Sequence, residues 1–350
     1  MPRSPQTGPV GARWSSSNRS PPIVWTAVEI FVTGGSGFVG GAVLRGLRED
    51  NELRAIARSE ESESTVLDLG AEAVRTSLED VSTDDIDGAE AVVHCAAYVE
   101  DWGPASVFHS VNVEGTARLL AAAREAGVRR FVHISTESVL FTGDHLRLID
   151  ESTPYPDSTP FHYSSTKGEA ERLVLDANDP DAGFETVVLR PVLIWGPGDQ
   201  TVLPELVTLA RKGQYLWLDG GRHLVSPTHI ANLVHGIELA LDRGDPGQIY
   251  FITDGEHVSA KDFLTRYAAT AGVTLPDRSI PGWLARAAAP VLEGIWKMLP
   301  LPGKPPVTRL AAALLSKEIT IDSDKARREL GYRPVVTIEE GLKQMARGTE

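Results

Sequence analysis

Residues 28–40 read VEIFVTGGSGFVG, an apolar run closed by a glycine turn that leads into a second apolar stretch. The branched and aromatic content of 28–33 predicts a strand, and the spacing of apolar residues over 39–49 predicts a helix. Gly34, Gly37 and Gly40 recur at every third position between them. In such a strand–turn–helix setting, one glycine permits the tight turn and another lets backbone approach a pyrophosphate. The third lets helix and strand pack closely. The amides and dipole of the helix N-terminus then hold the phosphate charge. A P-loop would carry Gly-Lys-Ser or Gly-Lys-Thr here, and this stretch does not. The opening therefore predicts a dinucleotide site at the first strand.

The same alternation continues outward. Strands are predicted at 53–57, 73–76, 91–95, 131–135 and 186–190, with helices over 110–126 and 163–175. Strands separated by helices imply right-handed crossovers and a parallel sheet covered on both faces. The runs at 91–95 and 186–190 are nearly all apolar, as sheet-centre strands should be. The expected class is α/β, a doubly wound Rossmann sheet with a smaller, discontinuous C-terminal substrate lobe. The dinucleotide-binding domain is expected over 28–192, with 221–255 returning to it through a strand at 248–253. Prolines punctuate the rest, and 193–220 with 256–346 are expected to form the substrate lobe.

Composition sets the limits. The 350 residues are 42% hydrophobic and 23% charged, ordinary for a globular chain, and 48 acids against 34 bases give a net charge of −14. That excess argues against a nucleic-acid partner. A single cysteine, Cys95, excludes an intrachain disulfide and a multi-cysteine zinc site. Residues 1–27 are rich in Pro, Ser, Gly and Arg without an apolar signal core, and read as a disordered leader. No uninterrupted apolar stretch is long enough to span a bilayer. A soluble, cytoplasmic protein is the expectation.

The second strand ends Ala57-Arg58-Ser59. An acid at this place would bond a ribose 2′-hydroxyl, whereas an arginine can grip a 2′-phosphate in a charge-assisted contact. Arg58 therefore favours NADP over NAD, with Arg54 adding charge if it shares the face. A solvated strand-end charge is the plain alternative.

Tyr163-Ser164-Ser165-Thr166-Lys167 places a phenol and an ammonium four residues apart, on one face of the predicted helix. A phenol with its ordinary pKa of about 10 is a poor base, and a neighbouring cation lowers that value. Tyr163 could then exchange a proton with a hydroxyl or carbonyl oxygen. The fifth strand runs into Ser135-Thr136-Glu137-Ser138, at the carboxyl end where open α/β sheets place ligands. A hydroxyl there could orient a substrate oxygen, or Ser and Thr could merely close a turn.

Together these residues resemble the extended short-chain dehydrogenase/reductase superfamily, which includes the NAD-dependent epimerases and dehydratases. The resemblance runs from about 28 to 345. TGGSGFVG resembles the family's cofactor loop, AVVHCAA at 91–97 its fourth strand, VNVEGT at 111–116 the following helix, and VHISTESV at 132–139 the strand with the catalytic hydroxyl. YSSTK at 163–167 resembles its Tyr-x-x-x-Lys, and RPVLIWGPGD at 190–199 the segment flanking the nicotinamide. The resemblance implies a catalytic tetrad of Tyr163, Lys167, Thr136 (Ser135 as alternate) and Asn112, the asparagine fixing its helix and holding a water. It implies cofactor contacts at Gly34, Ser36, Gly37, Phe38, Val39 and Gly40. Further contacts are implied at Arg58, Ala96, Ala97, Lys167 and Pro191, and substrate contacts at Trp102 and Ser138. Asp101-Trp102-Gly103, YFITDG at 250–255 and PPVTR at 305–309 are most similar to the 3β-hydroxysteroid and sterol dehydrogenase-like branch.

Some positions depart from that pattern. Thr76-Ser77 replaces a common Gly-Asp that touches adenine, and Leu140-Phe141 replaces Tyr-Gly, which suggests a more apolar pocket wall. His229 matches a family histidine, but the helix behind it begins Ala231-Asn232 where acids are common. His94, His133 and His145 read as satisfied core or interface residues and no metal site is expected; Cys95 reads as an inert apolar residue. Trp102 either lines the pocket or packs its loop. Residues 283–299 carry Trp283, Ala287, Val291 and Ile295 every fourth residue, and Pro290 should break or kink this stretch. It reads as a lid or interface helix, with an apolar mouth resting on a membrane as the sharper alternative.

The expected activity is NADP-preferring interconversion of a secondary alcohol and a ketone on a sterol-like or other apolar small molecule, with a homodimer as the expected assembly if the chain associates. The rivals are a nucleotide-sugar epimerase or dehydratase with tightly bound NAD, and a non-catalytic NADP-sensing protein.

Overall fold

The computed structural model describes residues 28–299 and 301–347. The leader expected over 1–27 lies outside the described residues. Seven parallel strands form the central sheet: β1 (Glu29–Thr33), β2 (Glu52–Ile56), β3 (Glu72–Val74), β4 (Ala91–His94), β5 (Arg130–Ile134), β6 (Glu185–Pro191) and β7 (Gln248–Ile252). Their spatial order is β7-β6-β5-β4-β1-β2-β3, so the chain winds outward from β1 in both directions. The reversal falls between β1 and β4, where such sheets open a crevice at their carboxyl ends.

Alternation sorts the side chains onto two faces. Ile30, Val32, Val93, Val132, Val187 and Leu189 pack against α1 (Phe38–Leu47) and α5 (Ile230–Arg243). Phe31, Val92, Phe131 and Val188 pack on the opposite face against α3 (Gly115–Glu125), together with Val174 of α4 (His162–Asp176). Between β2 and β3 lies α2 (Glu60–Asp68), started by a capping box in which Ser59 and Ser62 bond each other's backbone amides.

Three expectations are corrected. The third strand stops at Val74, before Thr76. The helix expected over 110–126 is divided, with an α-turn at Ala105–His109, a π-helical turn at Ser110–Glu114, and only then α3. The wider turn carries Asn112, whose side chain is tied on both sides of the helix. Third, α6 (Gly282–Met298) runs unbroken through Pro290, which is exposed, so water can meet the carbonyl that the missing amide leaves free.

The C-terminal part adds a smaller sheet in the order Val258–Ser259, Leu224–Val225, Ile319–Ile321, Leu146–Ile149. With α7 (Arg309–Leu314) it packs against segments that follow β5 and β6, among them Leu140, Phe141 and Val192, while α6 and α7 line a cavity beside the residues after β4. No helix among the described residues is long and apolar enough to cross a membrane.

Candidate active site

The glycine loop after β1 is built as its spacing predicted. Gly34 has φ +73°, and a Cβ there would sit 3.0 Å from the Ala96 amide nitrogen, so β4 and the loop touch through backbone. A Cβ on Gly40 would lie 2.1 Å from the Gly34 carbonyl oxygen. Gly37 is the N-cap of α1, with no side chain to satisfy the helix's first amides. A cradle with bare amides and no room for side chains fits a pyrophosphate. Ser36, Phe38 and Val39 are half-buried around it, as are Ala96 and Ala97 after β4, while Pro191 is buried at the end of β6.

Arg58 is exposed just past β2. Arg54, in contrast, is spent elsewhere: it pairs with Glu29 at 2.8 Å and donates to the carbonyls of Asp87 and Asp85. It adds nothing to Arg58, which corrects the expectation of a second cation. Ser77 donates to Asp80 at 2.8 Å and so closes a local turn.

On α4, Tyr163 faces a cavity while Lys167, one turn on, is 2% exposed and reaches back to β5. Its Nζ donates to the Ile134 carbonyl at 2.8 Å and lies 3.3 Å from His133 Nε2. Burial pulls this ammonium down to about 8, against the opposing pull of Glu171. The phenol of Tyr163 behaves opposite to the sequence expectation. Its pKa is raised, first by burial and then by the Glu137 carboxylate, and the neighbouring Thr136 hydroxyl only partly offsets them. With the lysine directed at β5, desolvation wins.

Thr136 and Ser138 meet at Glu137, which the sequence reading passed over. Thr136 Oγ1 donates to Glu137 Oε2 at 2.8 Å and accepts from the Ser138 amide at 3.2 Å. Ser138 is 2% exposed, its hydroxyl turned to Glu137 Oε1 at 3.3 Å and away from the cavity wall, contrary to the substrate role expected of it. Leu140 and Phe141 also lie inside, Phe141 stacked at 5.6 Å on Phe161, so they back the wall without forming it. The alternate hydroxyl, Ser135, is bonded to Glu171.

Asn112 is 2% exposed and its side chain is fully committed. It accepts from the Tyr98 amide at 2.7 Å and donates to the Tyr98 carbonyl and to Thr166 Oγ1, both at 3.1 Å. It thereby locks the loop after β4 to α4. A buried line of hydrogen bonds joins it to the glycine loop. The Ala96 amide donates to Thr33 Oγ1, which faces His94 Nδ1 at 2.7 Å; His94 Nε2 lies 2.9 Å from Thr116 Oγ1, which donates to the Asn112 carbonyl. These partners fix a neutral imidazole with its proton on Nε2. Burial agrees, holding His94 down at about 3.

Beneath Lys167 lies an ion pair with almost no solvent contact. Arg190, 1% exposed at the end of β6, donates from Nε to both oxygens of Glu171 at 3.1 Å, and Tyr155 and Ser135 donate to the same carboxylate. Glu171 follows Lys167 by one helical turn, the same spacing as Tyr163 to Lys167.

The cavity beside Tyr163 has a volume of about 230 Å³. Trp102, Phe108, Phe161 and Leu310 give it apolar walls, and Lys297 lies 5.7 Å from the Trp102 ring. Trp102 thus lines the pocket. The far wall comes from α6 and α7, where Arg309 pairs with Glu293 at 2.7 Å. Thr308 donates to Asp101 at 2.9 Å, and Lys304 lies 3.3 Å from the same carboxylate. On α6, Ala285, Ala289 and Glu293 face inward, while Trp283, Val291 and Ile295 are exposed.

Cys95 keeps its proton, burial pushing its thiol up to about 12. His145 accepts from the Glu318 amide at 3.0 Å. Among the described residues, no three His, Cys, Asp or Glu side chains gather as a metal site would require.

Known proteins resemble this chain in sequence and fold. Residues 31–281 match the 3-beta hydroxysteroid dehydrogenase/isomerase family. A ketoreductase of Stigmatella aurantiaca, named for 4-hydroxy-2-methyl-3-oxo-4-farnesyl-3,4-dihydroquinoline-1-oxide, is 44% identical over 89% of this chain and 94% of its own length. A decarboxylating sterol-4-alpha-carboxylate 3-dehydrogenase of Dictyostelium discoideum is 32% identical over 90% and 99%. The dTDP-glucose 4,6-dehydratase DesIV of Streptomyces venezuelae, solved with NAD bound, superposes with a TM-score of 0.72 at 24% identity, covering 91% of this chain and 96% of that one. The chain belongs to the 3-beta hydroxysteroid dehydrogenase/isomerase family, within the extended short-chain dehydrogenases/reductases. It is a dehydrogenase/reductase that works on a small molecule with a nicotinamide dinucleotide.

Proposed function

We propose that this protein reduces a ketone, or oxidises the matching secondary alcohol, on an apolar ring-bearing substrate, with NADP preferred over NAD. The observation that carries the reading is Tyr163, standing on the cavity wall one helical turn before Lys167, at the carboxyl ends of β4 and β5. Bound in the glycine cradle, the dinucleotide supplies or accepts the hydride. Tyr163 gives a proton to the substrate oxygen or takes one from it, and Thr136 orients that oxygen. Lys167 holds positive charge beneath the site, and Asn112 holds the loop after β4 against α4. Trp102, Phe108 and Leu310 receive the apolar body of the substrate. The substrate lobe is assigned to 193–220 and 256–346. The names of the two curated relatives support an apolar substrate, one carrying a farnesyl chain and the other a sterol.

NADP preference rests on Arg58, exposed at the end of β2 where a 2′-phosphate would lie. The test is turnover of NADPH and NADH with a panel of apolar cyclic ketones. Wild type should consume NADPH faster, Arg58→Asp should reverse the preference, and Tyr163→Phe should lose about 100-fold or more of kcat. Cofactor that stays tightly bound as NAD, with no net turnover on any ketone, would favour the epimerase reading. Full activity in Tyr163→Phe would remove the role assigned to the phenol.

A further inference from the structure

We propose that His133 is a positioning residue: with the Ile134 carbonyl it holds the Lys167 ammonium in a two-armed fork and leaves one N–H of that ammonium for the bound dinucleotide. The inference rests on the reductase reading above. On β5, His133 follows Phe131 by two residues and so points to the same face of the sheet, toward α3 and α4. That face otherwise carries Phe31, Val92, Phe131 and Val188. A buried imidazole among such side chains loses its hydration, and an apolar residue would pack there without that cost unless a partner repays it. Lys167 is the partner. Its Nζ lies 3.3 Å from His133 Nε2 and donates to the Ile134 carbonyl at 2.8 Å.

Chemistry fixes the direction of the bond. An ammonium has three N–H donors and no lone pair, so Nε2 accepts and the imidazole proton sits on Nδ1. Nδ1 has no partner among the described residues, so nothing on the far side of the ring competes to set the tautomer. Burial, and after it the Lys167 charge, keeps the ring neutral and its Nε2 lone pair available.

The other groups around the ammonium do not replace these two acceptors. Glu171, one turn further along α4, acts on Lys167 through its charge, but its carboxylate is engaged by Arg190, Tyr155 and Ser135. On the β4 side, His94 is neutral and bonded to Thr33 and Thr116, and Cys95 keeps its proton. Arg190, at the end of β6, is held by Glu171. The acceptors on β5 therefore decide where the ammonium stands. Without Nε2 it keeps the Ile134 carbonyl alone, can swing about that one bond, and loses part of the stabilisation of its charged form.

The test compares wild type with His133→Phe, which keeps a ring and removes the acceptor, and with His133→Gln, whose amide oxygen can stand in for Nε2. In cofactor-free protein carrying isotope-labelled lysine, with Lys167→Met identifying the signal, NMR follows the loss of the Lys167 proton as pH rises. His133→Phe should lower that midpoint by about one pH unit, and His133→Gln should restore most of it. Nitrogen NMR of wild type below the lysine midpoint should find the His133 proton on Nδ1, in a signal missing from His133→Phe. In steady-state reduction, His133→Phe should raise KM for NADPH by about tenfold, with His133→Gln again the milder variant. A packing defect alone would reduce the folded fraction and move neither the lysine midpoint nor the tautomer. An unchanged lysine midpoint or an unchanged KM in His133→Phe, or a wild-type proton on Nε2, would each overturn the fork while leaving the reductase reading intact. If His133→Phe does not fold, the wild-type tautomer decides. Absence of ketone reduction by wild type with either cofactor would overturn both.

Discussion

A glycine and a histidine show how single residues hold this site. Alanine at position 40 would bring its Cβ to 2.1 Å from the Gly34 carbonyl, a contact that backbone cannot absorb without opening the turn. Gly40→Ala should weaken cofactor binding by about 1–3 kcal/mol, the usual penalty for overpacking, with fluorescence quenching by NADPH as the measurement. His94 makes a different prediction. It is neutral and held at about 3 when folded, but regains its ordinary 6.5 in the unfolded chain. The unfolded state therefore binds the extra proton, so the stability linked to His94 is complete above pH 6.5 and drains away as pH falls toward 3. Between pH 7 and 5 this amounts to about 2 kcal/mol. His94→Gln should be less stable at pH 7, and its urea midpoint should approach that of wild type by pH 5. A gap of constant width would contradict the assignment. At this scale the sequence was legible where residue type dictates geometry, as in the glycine loop and the Tyr163–Lys167 spacing. It was not legible where burial decides: a motif says that phenol and ammonium share a face, yet the direction of the Tyr163 shift comes from lost solvent and then from Glu137.

The elements divide in the same way. β4, β5 and β6 could be read because buried parallel strands are continuous apolar runs. The π turn at Ser110–Glu114 could not, because it follows from what Asn112 bonds across space, at Tyr98 and Thr166. Nor could the junction of α4 with β6. Glu171 and Arg190 stand 19 residues apart in sequence and meet with almost no solvent between them. Glu171→Gln leaves Arg190 buried without its counter-charge, which should cost about 3–5 kcal/mol in urea unfolding. Because Glu171 also holds the Lys167 ammonium up, the same variant should lower the pH at which that lysine loses its proton. A Glu171→Gln protein as stable as wild type would show that the pair does not fasten helix to strand.

Over the whole molecule, the substrate cavity is a joint product of distant segments. Tyr163 and Trp102 come from the central sheet's loops and helices, whereas Glu293, Lys297, Arg309 and Leu310 come from near the C-terminus. Asp101 ties the halves by accepting from Thr308 and facing Lys304. Lys304 is 41% exposed, so the ionic part of this tie is weak, worth about 1 kcal/mol or less. Asp101→Asn should accordingly raise KM for the ketone by about fivefold or less and leave kcat nearly intact, as steady-state kinetics would read. A collapse of kcat would mean that Asp101 takes part in more than closing the cavity. The doubly wound sheet was legible from the rhythm of the chain, but this cavity was not, since its far wall comes to Trp102 from some two hundred residues away.

That arrangement bears on how the protein is made. A ribosome delivers the glycine loop, β4, β5 and the Tyr163 helix well before it delivers Glu293 to Leu310. The core behind the glycine cradle is completed later still, because Ala326, Leu330 and Tyr332 pack into it. Neither chamber is finished until the last stretch of chain has left the ribosome and folded back.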